Sequence, residues 1–343
     1  MPENRPQSVV RNEIPGFKDL RAARLSEITE PMMARLELAA EFPDANIEPT
    51  GIQELDDVVR FQPGRLCVIG GREGAGKSAL ALQMARYMSS RGKSVLYLLT
   101  EMTIEEVAER IVANTSHIPL WQIQKSPTPE QRAKVRGVLE WFGSNTDLTI
   151  VEVQGQPIDK IVHRVQVWAS HQSNGVGAVF IDNLWGLTGA SRVSGTASEV
   201  SLGMGEVTRQ VASLSLPKAS GGVDCPVFLL HHLNREAANG RTPTTAALGG
   251  SDQIGYWASQ VILVTEQAAL GTTGDVFDKS GTHALHLTKN RGGRAGVTIP
   301  LTFVGEQMRF EGVGPAVPFA KPAVANVEAE RQYRTRLAEL PAI

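Results

Sequence analysis

Between residues 66 and 91 the chain passes from an apolar stretch, Leu66-Cys67-Val68-Ile69-Gly70, through Gly71-Arg72-Glu73-Gly74-Ala75-Gly76-Lys77-Ser78 into a helical pattern from Ser78 to about Arg91. A GxxxxGK[ST] run flanked by a strand and a helix is the signature of a phosphate loop. Its glycines let successive backbone N–H groups turn inward on phosphates, and the helix amino terminus adds a favourable dipole. Lys77 supplies charge to the β and γ phosphates, Ser78 is placed to hold magnesium, and Gly71 to Ala79 are expected to surround ATP. A lysine after a chance glycine turn is the alternative, disfavoured by the flanking elements.

Such a loop belongs at the carboxyl edge of a parallel sheet, and the downstream sequence has the matching rhythm. Strand SVLYLL is followed by a helix from about Ile104 to Ser116 and a second helical stretch near 129–142. Then come strand LTIVEV, a helix near 158–172, strand AVFID, a helix near 199–216 and strand PVFLLH. This alternation predicts an α/β fold, a mostly parallel central sheet flanked by helices. After Ala258 only strands follow (SQVILVTE, HALHLTKN, VTIPLTFV, MRF), so antiparallel hairpins should extend the sheet.

Three segments result: an arm at 1–45, one large α/β domain at 46–314 and a tail at 315–343. The arm carries a helical pattern through Leu20, Leu25, Ile28, Met32, Met33, Leu36 and Leu38, too short for its own core. It either packs on its own domain or straps a neighbouring subunit. The tail, rich in Pro and Ala with a helix candidate VEAERQYRTRLAEL, has the composition of a flexible or partner-dependent segment.

The formal charge is -2, so nucleic acid would have to be held by a local basic lining rather than a basic body. Cys67 and Cys225 are the only cysteines and lack CxxC or Cys/His spacing, which argues against zinc or a disulfide framework. No stretch approaches the roughly 18 apolar residues of a membrane span, and the amino terminus lacks a signal segment; the expected location is cytoplasmic.

Hydrolysis needs more than a phosphate loop. Val179-Phe180-Ile181-Asp182 ends an apolar strand in a carboxylate at the ligand edge, suited to magnesium through a water, although an aspartate opening a turn with Asn183 reads the same way. Strand SVLYLLT runs into Glu101, which can accept a proton from water or cap the next helix in competition with Thr100 or Thr103. His231 and His232 are adjacent on a strand, point to opposite faces and cannot share one metal.

From about Thr50 to Glu311 the chain resembles the DnaB-like replicative helicases, hexameric motors of the RecA-like P-loop NTPase fold. The resemblance runs through TGIQELDDVV, GREGAGKSALALQMA, LLTEMTIEEVAERI, VFIDNL, LLHHLNR, LGGSDQIGYWASQVILV and LTKNRGG, in the family's order. It implies a magnesium-dependent ATP hydrolase that moves along single-stranded DNA in replication, with Glu101 as water activator. His232 falls where the family places a γ-phosphate sensor, usually glutamine; histidine there is similar to phage primase-helicases.

Lys289 and Arg291 match the paired basic residues that reach a neighbouring subunit's γ-phosphate, and alternate strand positions place both on one face. A solvated charged hairpin is the plainer alternative. The resemblance also implies a homo-oligomer, expected to be a hexamer, with a primase or helicase loader as further partner.

Two DNA-facing loops would correspond to about 186–205 and 239–256, with Arg192, Arg235, Arg241, Gly249, Gly250 and Ser251 as DNA-binding candidates. The family's arginine-glutamate step is replaced here by Gly249-Gly250, which leaves the contact to backbone or Ser251. Tyr256 and Trp257 could stack on bases, although an aromatic pair beside a strand is more often core. The family's amino-terminal collar and primase module have no counterpart in these residues. Two competing expectations are a RecA- or RadA-like recombination ATPase and a non-hydrolysing DNA-binding or loader subunit that keeps its nucleotide as a switch.

Overall fold

Every residue of β1 (Leu66–Gly71) is buried. Cys67 and Ile69 enter one apolar core while Leu66 and Val68 enter a second. A strand with two apolar faces needs cover on both sides, and helices supply it. The computed structural model describes residues 24–42, 47–187, 197–233, 244–248, 252–266 and 282–313, with Gln332, Tyr333, Thr335, Arg336, Leu337 and Glu339 of the tail.

The sheet adds β2 (Ser94–Leu99), β3 (Leu148–Glu152), β4 (Val176–Asp182), β5 (Val227–His232), β6 (Gln260–Glu266), β7 (His283–Asn290), β8 (Val297–Val304) and β9 (Arg309–Gly312). Their order is β3-β2-β4-β5-β1-β6-β7-β8-β9. Strands from β3 through β6 pair in parallel, and β6 to β9 pair antiparallel. The hairpin extension foreseen after Ala258 therefore starts between β6 and β7, while β6 itself lies parallel to β1.

The short helix α2 (Gln53–Asp56) precedes the sheet. On one face, α3 (Lys77–Ser89) and α4 (Ile104–Ser116) close the first core. Tyr97, Phe180 and Phe228 are cross-strand partners on β2, β4 and β5. Their rings stack with centroids 5.6 and 4.5 Å apart, a geometry worth about 0.5–1.5 kcal/mol per pair beyond area burial. On the other face, α7 (Ile158–Ser170) and α8 (Ala197–Leu214) bury Ile161, Val165, Val207 and Val211 in the second core.

Between them in sequence lie α5 (Leu120–Lys125) and α6 (Pro129–Asn145). Thr128 caps α6 and Gln131 answers in a reciprocal capping box. The helix α9 (Asp252–Trp257) leads into β6.

Two compact units divide the chain, one of residues 1–47 with 323–343 and one of residues 48–322. The first contains α1 (Leu25–Glu41), which buries Pro31 and Leu38 and leaves Leu25, Met32, Met33 and Leu36 exposed. Within this unit Tyr333 meets Phe42 edge-on and Arg336 pairs with Glu41. Among the described residues no helix is long and apolar enough to cross a membrane.

Candidate functional site

The phosphate loop joins β1 to α3 through two left-handed glycines, Gly74 at φ 77° and Gly76 at φ 85°. A side chain would be strained at both. At Gly76 it would also meet the Phe310 ring 2.8 Å away. Gly76 provides no side-chain cap to α3, so the helix's first N–H groups remain for a ligand. Arg72, Glu73 and Gly74 are exposed, Ala75 and Ala79 are buried, and Ser78 is half-buried.

Lys77 is buried and donates from Nζ to the Arg72 carbonyl at 2.7 Å. Burial lowers its pKa, while Asp182, Glu101 and Glu73 act in the opposite direction. The charge therefore lies inside the loop and close to three carboxylates.

Asp182 ends β4 at 6% exposure. Burial raises its pKa, while the Ser78 hydroxyl and the Tyr97 hydroxyl, which donates to it at 3.0 Å, act in the opposite direction. The Ser78 hydroxyl and the Asp182 carboxylate are adjacent hard oxygen donors, the type that suits a small divalent cation such as magnesium. These residues fit such an ion.

Glu101 is exposed just beyond β2, and its charge acts on Lys77, Asp182 and His232. The cap of α4 is Thr103: its hydroxyl accepts the Glu106 N–H at 3.2 Å, and Glu106 returns the bond at 2.9 Å. Thr100 has a different partner. Its buried hydroxyl accepts the Asn183 N–H at 2.8 Å and lies 3.1 Å from the Asp182 carbonyl. It thereby ties the end of β2 to the end of β4.

His232 is half-buried at the end of β5, in register with Gly71. Burial first, then the charge of Lys77, lowers its pKa, so the imidazole is neutral near neutral pH. His231 is fully buried and stacks at 6.2 Å on Trp185. The two histidines thus occupy opposite faces, as strand geometry requires.

Lys289 and Arg291 converge on the carboxyl end of α9. Lys289 Nζ donates to the Gly255 carbonyl at 2.7 Å, and Arg291 donates to the Tyr256 carbonyl at 2.8 Å. Burial, then the neighbouring Arg291 charge, lowers the Lys289 pKa. Trp257 packs against the second core, whereas Tyr256 is 63% exposed. Arg192, Arg235, Arg241, Gly249, Gly250 and Ser251 lie outside the described residues.

Sequence reasoning did not assign Tyr97 or Phe310 to the site. Tyr97 reads as one more apolar strand residue, and its hydroxyl becomes a ligand of Asp182 only because β2 and β4 are paired. Phe310 comes from the far end of the chain.

A profile of the DnaB-like helicase C terminal domain matches residues 48–312. The chain is 25% identical over 279 residues to the replicative DNA helicase DnaB of Leifsonia xyli subsp. xyli (strain CTCB07), covering 78% of this chain and 56% of that protein. It is 24% identical over 223 residues to a probable plasmid replicative DNA helicase of Chlamydia psittaci, covering 63% and 46%. A 104-residue stretch is 35% identical to the DNA repair protein RadA of Brucella abortus (strain 2308), but covers only 29% of this chain and 22% of that one. The chain spans about half the length of the two helicases it matches.

Among solved structures, an ATPase domain superposes with a TM-score of 0.70 at 23% identity, over 83% of this chain and 98% of that one. The structure of a DnaB-like replicative helicase and its interactions with primase gives 0.68 at 22% identity, over 85% and 68%. At such identities the structural likeness speaks for the RecA-like fold alone. Since the profile covers more than half of its 343 residues, the chain belongs to the family of DnaB-like helicase C terminal domains.

Proposed function

We propose that the chain is the ATPase motor of a hexameric DNA helicase, hydrolysing ATP with magnesium and moving along single-stranded DNA in replication. The observation that carries this reading is the convergence of Lys77 and Ser78 on α3, Glu101 after β2, Asp182 on β4 and His232 on β5 at one sheet edge. Phosphoryl transfer depends mainly on such positioning and charge stabilisation.

In this mechanism the N–H groups of residues 74–79 and the Lys77 ammonium grip the β and γ phosphates. Ser78 and Asp182 would hold magnesium, which when bound neutralises charge on the phosphate oxygens. Glu101 takes a proton from the attacking water, and His232 donates a hydrogen bond to the terminal phosphate. Lys289 and Arg291 would leave the carbonyls of α9 to reach the nucleotide of a neighbouring subunit.

DNA contact is assigned to the stretches near 186–205 and 239–256, and the exposed Leu25, Met32, Met33 and Leu36 of α1 suit a strap between subunits. A primase or loader, and a cytoplasmic setting, belong to the same proposal.

The test is ATP turnover with and without single-stranded DNA, joined to electron microscopy with an ATP analogue. Rings and DNA-stimulated turnover are expected. Turnover absent under both conditions would leave a nucleotide-switched binding subunit, whereas filaments without strand separation would favour a recombination ATPase.

A further inference from the structure

Asn183 directly follows the Asp182 carboxylate, and its side chain is bonded at both ends. Its Oδ1 accepts the backbone N–H of Trp185 at 2.9 Å and of Gly186 at 3.4 Å. Backbone N–H groups can face only an acceptor, so these two bonds fix which end of the amide is oxygen. The Nδ2 end is therefore turned to His232, 3.3 Å from its Nε2.

An amide nitrogen offers hydrogens and no lone pair. Nε2 of His232 must then be the acceptor, and a neutral imidazole that accepts through Nε2 carries its hydrogen on Nδ1. Asn183 is itself held in place: its backbone N–H donates to the buried Thr100 hydroxyl at 2.8 Å. Gly186, the far end of the turn, lies so close to Thr100 that a side chain there would stand 2.2 Å from its Cβ. Thr100, Asn183 and the turn of Leu184–Gly186 thus form one fixed support beneath the imidazole.

We infer that Asn183 is the positioning residue for His232, holding it as the Nδ1–H tautomer so that the hydrogen it offers an anion comes from Nδ1. The same amide joins the histidine beside Gly71 to the turn of Leu184–Gly186, where the first stretch proposed to face DNA, near 186–205, begins. The catalytic consequence rests on the reading of His232 as a γ-phosphate sensor; the tautomer does not.

Asn183→Asp separates the two ends of the amide. A carboxylate still accepts the N–H groups of Trp185 and Gly186 and so keeps the turn. Toward His232 it presents an acceptor, which requires a hydrogen on Nε2.

The experiment is 15N NMR of histidine-labelled, nucleotide-free protein, with His232→Gln identifying the signal, followed by steady-state ATP kinetics. Wild-type protein is expected to show His232 protonated at Nδ1 and bare at Nε2, and Asn183→Asp to show Nε2 protonated. In the same variant kcat should fall about tenfold with KM for ATP within about twofold, the pattern of a donor lost from the transition state.

A protonated Nε2 in the wild-type protein overturns the inference whatever the kinetics, and needs no variant to fold. Unchanged turnover in His232→Ala, which removes the donor that glutamine would replace, would instead overturn the sensor reading and the catalytic consequence with it. Asn183→Asp that keeps the wild-type tautomer also overturns the inference.

Discussion

The nucleotide edge and the basic end of β7 hold their charges in opposite ways. Around Lys77 the polar groups answer one another within the chain: Tyr97 bonds Asp182, Thr100 bonds Asn183, and Asn183 bonds His232. At Lys289 and Arg291 the cations rest on the carboxyl-terminal carbonyls of α9, with no carboxylate bonded to them among the described residues. A helix carboxyl end attracts cations by about 0.3–1 kcal/mol, much less than a phosphate in a water-excluded cleft. The first region is preorganised, and the second is held by contacts that a stronger anion can replace.

That contrast breaks most visibly at Arg291. Arg291→Ala should lower ATP turnover about 10³-fold while leaving nucleotide binding by isolated chains intact, because its phosphate belongs to a neighbour. Mixing it with Glu101→Gln subunits should restore part of the turnover, measured across mixing ratios; absence of recovery at every ratio would place Arg291 in its own site or in none. Glu101→Gln alone should cost about 10²-fold or more in kcat with ATP affinity retained, read by single-turnover kinetics beside nucleotide binding.

Two smaller effects sharpen the comparison through stability. In the antiparallel half, His286 is buried between the hydroxyls of Thr265 and Thr298, 2.8 and 3.0 Å away, and burial pushes its pKa down to about 4. The unfolded chain takes up this proton first, near pH 6.5. The contribution is therefore complete above about pH 6.5 and is lost as pH falls toward 4, by about 2 kcal/mol between about pH 7 and about pH 5. Urea unfolding of wild type and His286→Asn at the two pH values should show a shallower loss in the variant.

At the nucleotide edge, Thr100→Val leaves the buried Asn183 N–H without its acceptor. The expected loss is about 1 to 2 kcal/mol. A melting temperature equal to wild type would deny Thr100 its bridging part.

What can be read from the chain beforehand follows the range of the forces involved. The phosphate loop, the βα rhythm and the start of α4 at Ile104 are written in local spacing and capping, and α3 begins one residue before the Ser78 expected. The six-residue α5 escapes such a reading because Leu120–Lys125 is too short to display a helical period. Sheet order is also illegible: nothing near β1 indicates that β5 and β6 will flank it, since that arrangement depends on crossovers packing through two cores. Thr100 reads as a cap because threonine before a helix often is one; its actual partner, Asn183, lies just past another strand. Arg192, Arg235, Arg241, Gly249, Gly250 and Ser251 fall outside the described residues, and the roles of Glu101, His232, Lys289 and Arg291 rest on the experiments above.

The Phe310 ring against Gly76 gives the last strand a part in the first motif. Gln83 on α3 secures that strand from within, accepting the Phe310 N–H at 2.8 Å and donating to its carbonyl at 2.9 Å. A chain cut short before β9 would keep every phosphate-gripping residue yet lose the wall on which the glycine turn leans. Damage to the carboxyl-terminal hairpin should therefore appear first as weakened nucleotide affinity, far along the polypeptide from the lysine that makes the grip.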